Sequence, residues 1–235
     1  MPLSSDLVFR NRILRALPQA ELDHLRPHLQ PVPLRQKQIL HEVGAPIEDL
    51  YFIENGLASV LTTTAHGDAI EVRMTGREGL TGFPYLLGVK ILRQRIIVQV
   101  PGNALRISAA PFKGEFERRE VLRHTVLCFV NAAFAMTSQT AACNRLHSVE
   151  QRCARWLLNA SDRIGSDTMP MTHEFLSSLL GARRSGVTIT AGRLQSSGLI
   201  RYRRGHLAIV DRNALEALAC ECYAFDRRQF EWFRP

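Results

Sequence analysis

Acidic residues are missing from the stretch where basic ones gather. Between Phe175 and Val210 there are six arginines and no aspartate or glutamate, although the 235-residue chain carries 22 acids elsewhere. Lysine is scarce, with 3 against 27 arginines, and the net charge is +8. Such a composition reflects arginine usage as much as function, so the information lies in the clustering. No cysteine precedes Cys128, and the five present (Cys128, Cys143, Cys153, Cys220, Cys222) are odd in number and late. That excludes a disulfide framework. Cys220-Glu221-Cys222 falls in a segment that reads as one helix from Arg212 to Phe225, where residues two apart diverge around the axis, so no metal site is expected. No stretch approaches the roughly 18 to 20 apolar residues of a membrane span. Met1 to Leu14 lacks the apolar centre of a secretory signal, and a soluble cytoplasmic chain with no membrane partner is expected. No two of the eight histidines lie one residue apart. The two-histidine-and-glutamate ligand set of a metal cupin enzyme is therefore absent, and His147 with Glu150 reads as a surface pair.

What is present is apolar content of 46%, enough for packed cores. Asp6 to Leu29 reads as helix broken at Pro18. From Pro31 to Ser108 short β-prone runs recur between turn residues, the pattern of a sandwich or jelly-roll barrel. Asn55-Gly56, between LYFI and LASVL, is a hairpin signal. His66-Gly67-Asp68 and Pro101-Gly102-Asn103 read as further turns. Ile70, Val72 and Met74 alternate with Ala69, Glu71 and Arg73, while Ile96, Val98 and Val100 share one face.

Glu117 to Leu146 contains neither proline nor glycine. Leu122, Phe129, Met136 and Cys143 fall seven apart, with Val126, Ala133 and Thr140 interleaved. A heptad seam of this length predicts a helix that pairs with a copy of itself. At 1.5 Å per residue it would be about 40 Å long. A second helix, Val149 to Arg163, follows and ends at Gly165-Ser166-Asp167.

The basic stretch has its own punctuation. Thr172 can cap a helix with Glu174 in its first turn, and Phe175, Leu176, Leu179 and Leu180 give that helix a buried face. Gly181 suits a tight turn. The next helix starts near Arg184, with Val187, Thr190 or Ala191, and Leu194 facing inward, although Gly186 and Gly192 weaken it by about 1 kcal/mol each. Gly198 ends it, and two β-runs joined by Arg204-Gly205 follow. This is a winged helix-turn-helix with a basic face, the arrangement that puts the start of the second helix in the major groove. Arg184 can pair bidentately with guanine, and Ser185 and Thr188 can reach base edges or phosphates. Thr172, His173, Arg183, Arg193, Arg201, Arg203, Arg204 and His206 complete the predicted DNA contacts, the wing residues on phosphates.

With these residues in hand, the chain resembles the Crp/Fnr family of bacterial transcription regulators over nearly its whole length. The segments that carry the likeness are LYFIENGLASVL, SVEQRCARWLL and MTHEFLSSLLGARRSGVTITAGRLQSSGLI. The resemblance implies an α+β chain: a cyclic-nucleotide-binding-like β-roll (a double-stranded β-helix or jelly roll) over 1–116, a dimerisation helix over 117–147, and a winged helix-turn-helix over 148–235. It implies a homodimer on a palindromic site, with double-stranded DNA, itself and RNA polymerase as partners, an unspecified small-molecule effector, and no enzyme activity. A β-roll module with no DNA role is the alternative, and the acid-free arginine stretch argues against it. The family's recognition helix often reads Arg-Glu-Thr-Val-x-Arg; here Arg184, Ser185, Gly186, Val187, Thr188 and Ile189 keep only the first arginine, so the usual half-site is not implied. Members that bind cyclic AMP hold the ribose with a glutamate after glycine, where this chain has Gly82-Phe83-Pro84. Cyclic AMP is therefore not an expected ligand. Oxygen-sensing members use N-terminal cysteines that this chain lacks, and no haem ligand pattern is visible, so no cofactor is expected. Any small ligand would sit near Gly79, Gly82, Arg93 and Arg95, facing the long helix.

Overall fold

A computed structural model describes residues 8–231, apart from the side chains of His173 and Glu174. The first helices are α1 (Arg12–Arg15) and α2 (Gln19–Leu25), separated at Pro18 as the sequence predicts. Six antiparallel strands follow: β1 (Gln30–Leu34), β2 (Ile39–His41), β3 (Asp49–Thr63), β4 (Ala69–Thr75), β5 (Leu80–Thr81) and β6 (Arg95–Ser108). The main sheet runs β1-β6-β3-β4, with β2 also on β6 and β5 also on β3. Residues 64–68 make the turn from β3 to β4, closed by Thr64 N–H on the Asp68 carbonyl at 2.8 Å.

Two predicted turns are not turns. β3 passes straight through Asn55-Gly56, and β6 passes straight through Pro101-Gly102-Asn103. The two irregular stretches face each other in the β3–β6 pairing, where the register shifts at Asn55 and again at Leu57. Asn55 Oδ1 accepts from the Asn103 N–H at 2.6 Å. Gly56 has φ +89°, and a β-carbon there would stand 2.7 Å from the Val100 carbonyl. The Asn-Gly pair thus forms a bulge in a long strand, because a paired neighbour replaces the hairpin return.

β4 differs as well. Its polar members Glu71 and Arg73 are buried, because long helices cover the face the alternation assigned to solvent.

After β6 come α3 (Ala109–Arg118), α4 (Glu120–Leu146) and α5 (Val149–Ile164). α5 has a reciprocal Ser148–Gln151 capping box at its start and left-handed Gly165 at its end. α4 is the described helix long and apolar enough to cross a membrane by length and composition, contrary to the sequence reading. Its apolarity instead serves protein packing. Leu122, Val126, Phe129, Ala133 and Met136 join α1, α2, α3 and the β-roll in one core. The remainder is β7 (Thr168–Pro170), α6 (His173–Leu180), α7 (Arg184–Ser196), β8 (Ile200–Arg203), β9 (His206–Ile209), α8 (Arg212–Leu218) and α9 (Cys222–Arg228). The predicted Arg212–Phe225 helix is therefore two helices with Cys220 in the break. A second core joins α5 and these elements to Leu57, Met74 and Val100 of the β-roll.

Candidate nucleic-acid interface

The local signals place α6 and α7 as predicted. Thr172 Oγ1 accepts from the Phe175 N–H at 3.2 Å and caps α6. Gly181, with φ +56°, turns the chain into α7. Val187, Thr190, Ala191 and Leu194 face inward, each less than a tenth exposed. Arg183, Arg184, Ser185, Thr188 and Arg193 are exposed on the other side. Arg183 is the residue before α7, and the first turn of α7 holds no acid. Its unpaired N–H groups and positive dipole end therefore add to the arginines in favouring an anion. The predicted contact at His173 lies outside the described side chains.

The wing is a three-stranded sheet in the order β7-β9-β8. Arg204 (φ +50°) and Gly205 (φ +78°) join β8 to β9. Positive φ at both positions is the signature of the tight turn whose twist matches a hairpin. Arg201, Arg203, Arg204 and His206 are all exposed. The Tyr202 hydroxyl donates to the Met171 carbonyl and anchors the wing beside the start of α6. Burial pushes that phenol up to about 12, so it stays a donor. Among the described residues none of the six arginines between Phe175 and Val210 forms an ion pair.

This surface is coupled to the β-roll through α5. Trp156 Nε1 donates to Glu71 Oε1 at 2.7 Å, and the Ser59 hydroxyl donates to the other oxygen. Burial pushes the Glu71 carboxyl up to about 7, against the pull of these two hydrogen bonds. Arg163 Nε is 3.0 Å from Glu78, and Arg155 Nε is 2.9 Å from Asp226. A β-carbon at Gly181 would stand 2.3 Å from the Ile70 side chain, so the helix-turn-helix rests directly on β4.

Two predicted sites are corrected. Leu122, Val126, Phe129, Ala133, Met136 and Cys143 are 0–3% exposed within one chain, so they are not available to a second copy. Thr140 is half-buried and accepts from Arg155 Nη2 at 3.1 Å. The heptad spacing is real, but the β-roll of the same chain fills it. The predicted ligand site does not assemble either. A β-carbon at Gly79 would stand 2.1 Å from the Phe129 ring, and Phe83 packs edge-on against that ring at 5.8 Å. Gly82 is closed in by Asp49, His41 and Leu50. Arg95 pairs with Glu42 at 2.9 Å, and Arg93 points to solvent. Aromatic packing thus occupies the space between the β-roll and α4. Open volume lies elsewhere, in a cleft of about 950 Å³ edged by Arg12, Arg77, Arg163, Arg212 and Arg227.

Sequence reading missed two things. The exposed side of α4 carries His124, Leu127, Asn131, Phe134, Ser138, Ala141 and Arg145, spaced alternately three and four apart, with Phe134 74% exposed and Leu127 42% exposed. The same periodicity is visible in the sequence, but the more apolar heptad lies on the other face. The fold also gathers Cys143, His147, Cys220 and Cys222 at the end of α4. The expected divergence of Cys220 and Cys222 fails because Cys220 precedes the helix that Cys222 opens.

Comparison with known proteins bears on the same region. Residues 151–218 match the model of the Crp-like helix-turn-helix domain. Electron transport regulator A of Shewanella oneidensis is 22% identical over 214 residues, covering 85% of this chain and 82% of the relative. The solved structure of a putative Crp/Fnr-family transcriptional regulator from Eubacterium rectale superposes with a TM-score of 0.68 at 18% identity, covering 88% of this chain and 96% of that one. FixK2 from Bradyrhizobium japonicum superposes with a TM-score of 0.70 at 12% identity, covering 82% and 98%.

Proposed function

We propose that this chain, whose residues 151–218 match the Crp-like helix-turn-helix model, is a DNA-binding transcription regulator of the Crp/Fnr type that works as a cytoplasmic, non-enzymatic homodimer on a palindromic site. The observation that carries this reading is the set of six exposed arginines, with no acid among them, at the start of α7, along it and on the wing. Residues 1–116 form the sensor-like unit, 117–147 the dimer helix and 148–235 the DNA-binding unit. The second copy packs on the outward stripe of α4 centred on Leu127 and Phe134. Two-fold symmetry then sets the two α7 helices about 34 Å apart, one turn of duplex. RNA polymerase is the further partner in this reading.

Arg184 reads guanine, Ser185 and Thr188 reach base edges or phosphates, and Ile189, 58% exposed, meets a thymine methyl. Thr172, Arg183, Arg193, Arg201, Arg203, Arg204 and His206 hold phosphates and fix the register. Cyclic AMP is not the effector, because the ribose carboxylate is replaced by Phe83 and that side chain is packed on Phe129.

Titration of operator and scrambled duplexes at several salt concentrations tests the assignment. Arg184→Ala should cost about 1 to 3 kcal/mol on the operator and relax base preference at one position per half-site, with scrambled duplex nearly unaffected. Arg203→Ala should weaken both duplexes equally and lower the salt slope by about one unit. Equal loss on both duplexes for Arg184→Ala would mean that α7 lies on the backbone rather than in the groove.

A further inference from the structure

Three of the five cysteines and one histidine meet where the long helix ends. Cys143 lies in the last turn of α4 and His147 directly follows that helix. Cys220 sits in the break between α8 and α9, and Cys222 opens α9. Their ligand atoms all lie within 4.8 Å of one another. Cys143 Sγ is 3.6 Å from Cys220 Sγ, and Cys222 Sγ is 3.7 Å from His147 Nδ1. A tetrahedral zinc site has bonds of about 2.3 Å to sulfur and 2.0 to 2.1 Å to nitrogen, which puts its S–S edges near 3.8 Å and its S–N edges near 3.6 Å. The two separations, 3.6 and 3.7 Å, lie within about 0.2 Å of those edges. The three cysteines are at most 4% exposed, so solvent has little access to the thiol side of the site.

The surroundings are those of a ligand set. His147 Nε2 is 3.2 Å from Glu221 Oε1. A metal-binding histidine ordinarily gives its far N–H to a carboxylate, which fixes the tautomer and aims the other nitrogen at the ion. Here that other nitrogen is Nδ1, the one facing Cys222. Gln139 Nε2 donates to Cys222 Sγ at 3.0 Å, a hydrogen bond suited to a thiolate. The Arg155 guanidinium lies beside Cys143. Three thiolates and one divalent ion leave one negative charge, and this guanidinium faces it.

We propose that Cys143, His147, Cys220 and Cys222 bind one divalent metal ion of the zinc type in a closed, four-ligand site. Binding displaces the three thiol protons and ties the end of α4 to α9 at the joint where the DNA-binding unit begins. The ion therefore fixes the angle between the dimer helix and α5, and with it the spacing of the two α7 helices. A multi-iron cluster fits less well, because it spreads its ligands over separate irons.

The test uses full-length protein stripped with a chelator under reducing conditions, then titrated with zinc, or with cobalt as an optical probe. One equivalent per chain is expected, with the strong visible bands of tetrahedral cobalt and thiolate charge transfer in the near ultraviolet. Cys220→Ser should abolish those bands, and zinc should raise the melting temperature of the wild type but not of this variant. Glu221→Gln, exposed and outside the ligand set, should weaken zinc about 10- to 100-fold. Cys128→Ser should change nothing. Should Cys220→Ser fail to fold, the Glu221→Gln affinity and the cobalt spectrum of the wild type decide. Any of the following overturns the proposal: folded wild type that takes up no zinc, an octahedral cobalt spectrum, iron with inorganic sulfide in the purified chain, or zinc affinity unmoved by Glu221→Gln.

Discussion

Arg155, Arg163 and Arg212 lie where α5 meets the β-roll and the C-terminal helices, and each is paired with a carboxylate: Asp226, Glu78 and Asp162. Arg184, Arg193, Arg201, Arg203 and Arg204 are exposed, and among the described residues none has such a partner. The same side chain is used in opposite ways. At the joint its charge is satisfied inside the protein, and the Arg163–Glu78 pair ties α5 to the β-roll. On α7 and the wing it is left for phosphates and bases. The two faces of α4 repeat the contrast with apolar residues: the Phe129 stripe is enclosed by its own chain, and the Phe134 stripe is open. A partnered group is read best in stability, and an unpartnered one in binding.

The largest effect should come from exchanging charge onto the two faces of α4. Phe129→Asp puts a carboxylate into the core that Gly79 and Phe83 close, and should cost at least about 4 kcal/mol, leaving little folded protein. Phe134→Asp should leave the chain folded by circular dichroism while sedimentation shifts it from dimer to monomer and operator affinity falls. A dimer that survives Phe134→Asp would remove the open stripe as the interface.

Arg163→Ala removes the ion-pair partner of Glu78, which is 2% exposed. The expected loss is about 3 to 5 kcal/mol in denaturant unfolding, with any DNA defect disappearing once folding is restored at low temperature. A fully stable Arg163→Ala protein whose DNA binding is lost would break the division between the two sets of arginines.

Glu71 sharpens it through pH. Its folded value, about 7, lies above the ordinary 4.5. The native state therefore holds the proton more tightly, and the stability this gives is fully present below about pH 4.5 and lost as pH rises through 7. Glu71→Gln has no proton to lose and can still accept from Trp156. Its advantage over the wild type should be small at pH 5 and on the order of 3 kcal/mol at pH 8. Urea unfolding at pH 5, 6, 7 and 8 measures this, and parallel pH profiles for the two proteins would refute it.

The smallest effect belongs to the open side. A β-carbon at Gly192 meets nothing within 4 Å. Gly192→Ala should therefore stabilise α7 by about 1 kcal/mol, seen as a higher melting temperature, without weakening operator binding.

The winged helix was legible because its signals are local. Thr172, Gly181, Gly198 and Arg204-Gly205 act within a few residues of themselves, and the chain obeys them whatever packs nearby. The predicted DNA contacts whose side chains are described are accordingly all on the surface. Asn55-Gly56 also carries a local signal, but its outcome depended on a facing strand some 48 residues away, at Asn103. Against that strand a bulge satisfies the backbone as well as a turn would.

The sequence by itself determined the element types of the winged helix, the basic face and the two three-and-four stripes on the long helix, since each depends only on side-chain order and backbone geometry. Tertiary structure decided what each stripe meets, because burial depends on which other surface arrives first to cover it. The β-roll covered Leu122, Phe129 and Met136 and left Leu127 and Phe134 open. It also brought Cys143 to Cys220 across 77 residues, a contact that no local spacing encodes, since it exists only once α9 has folded back onto the end of α4.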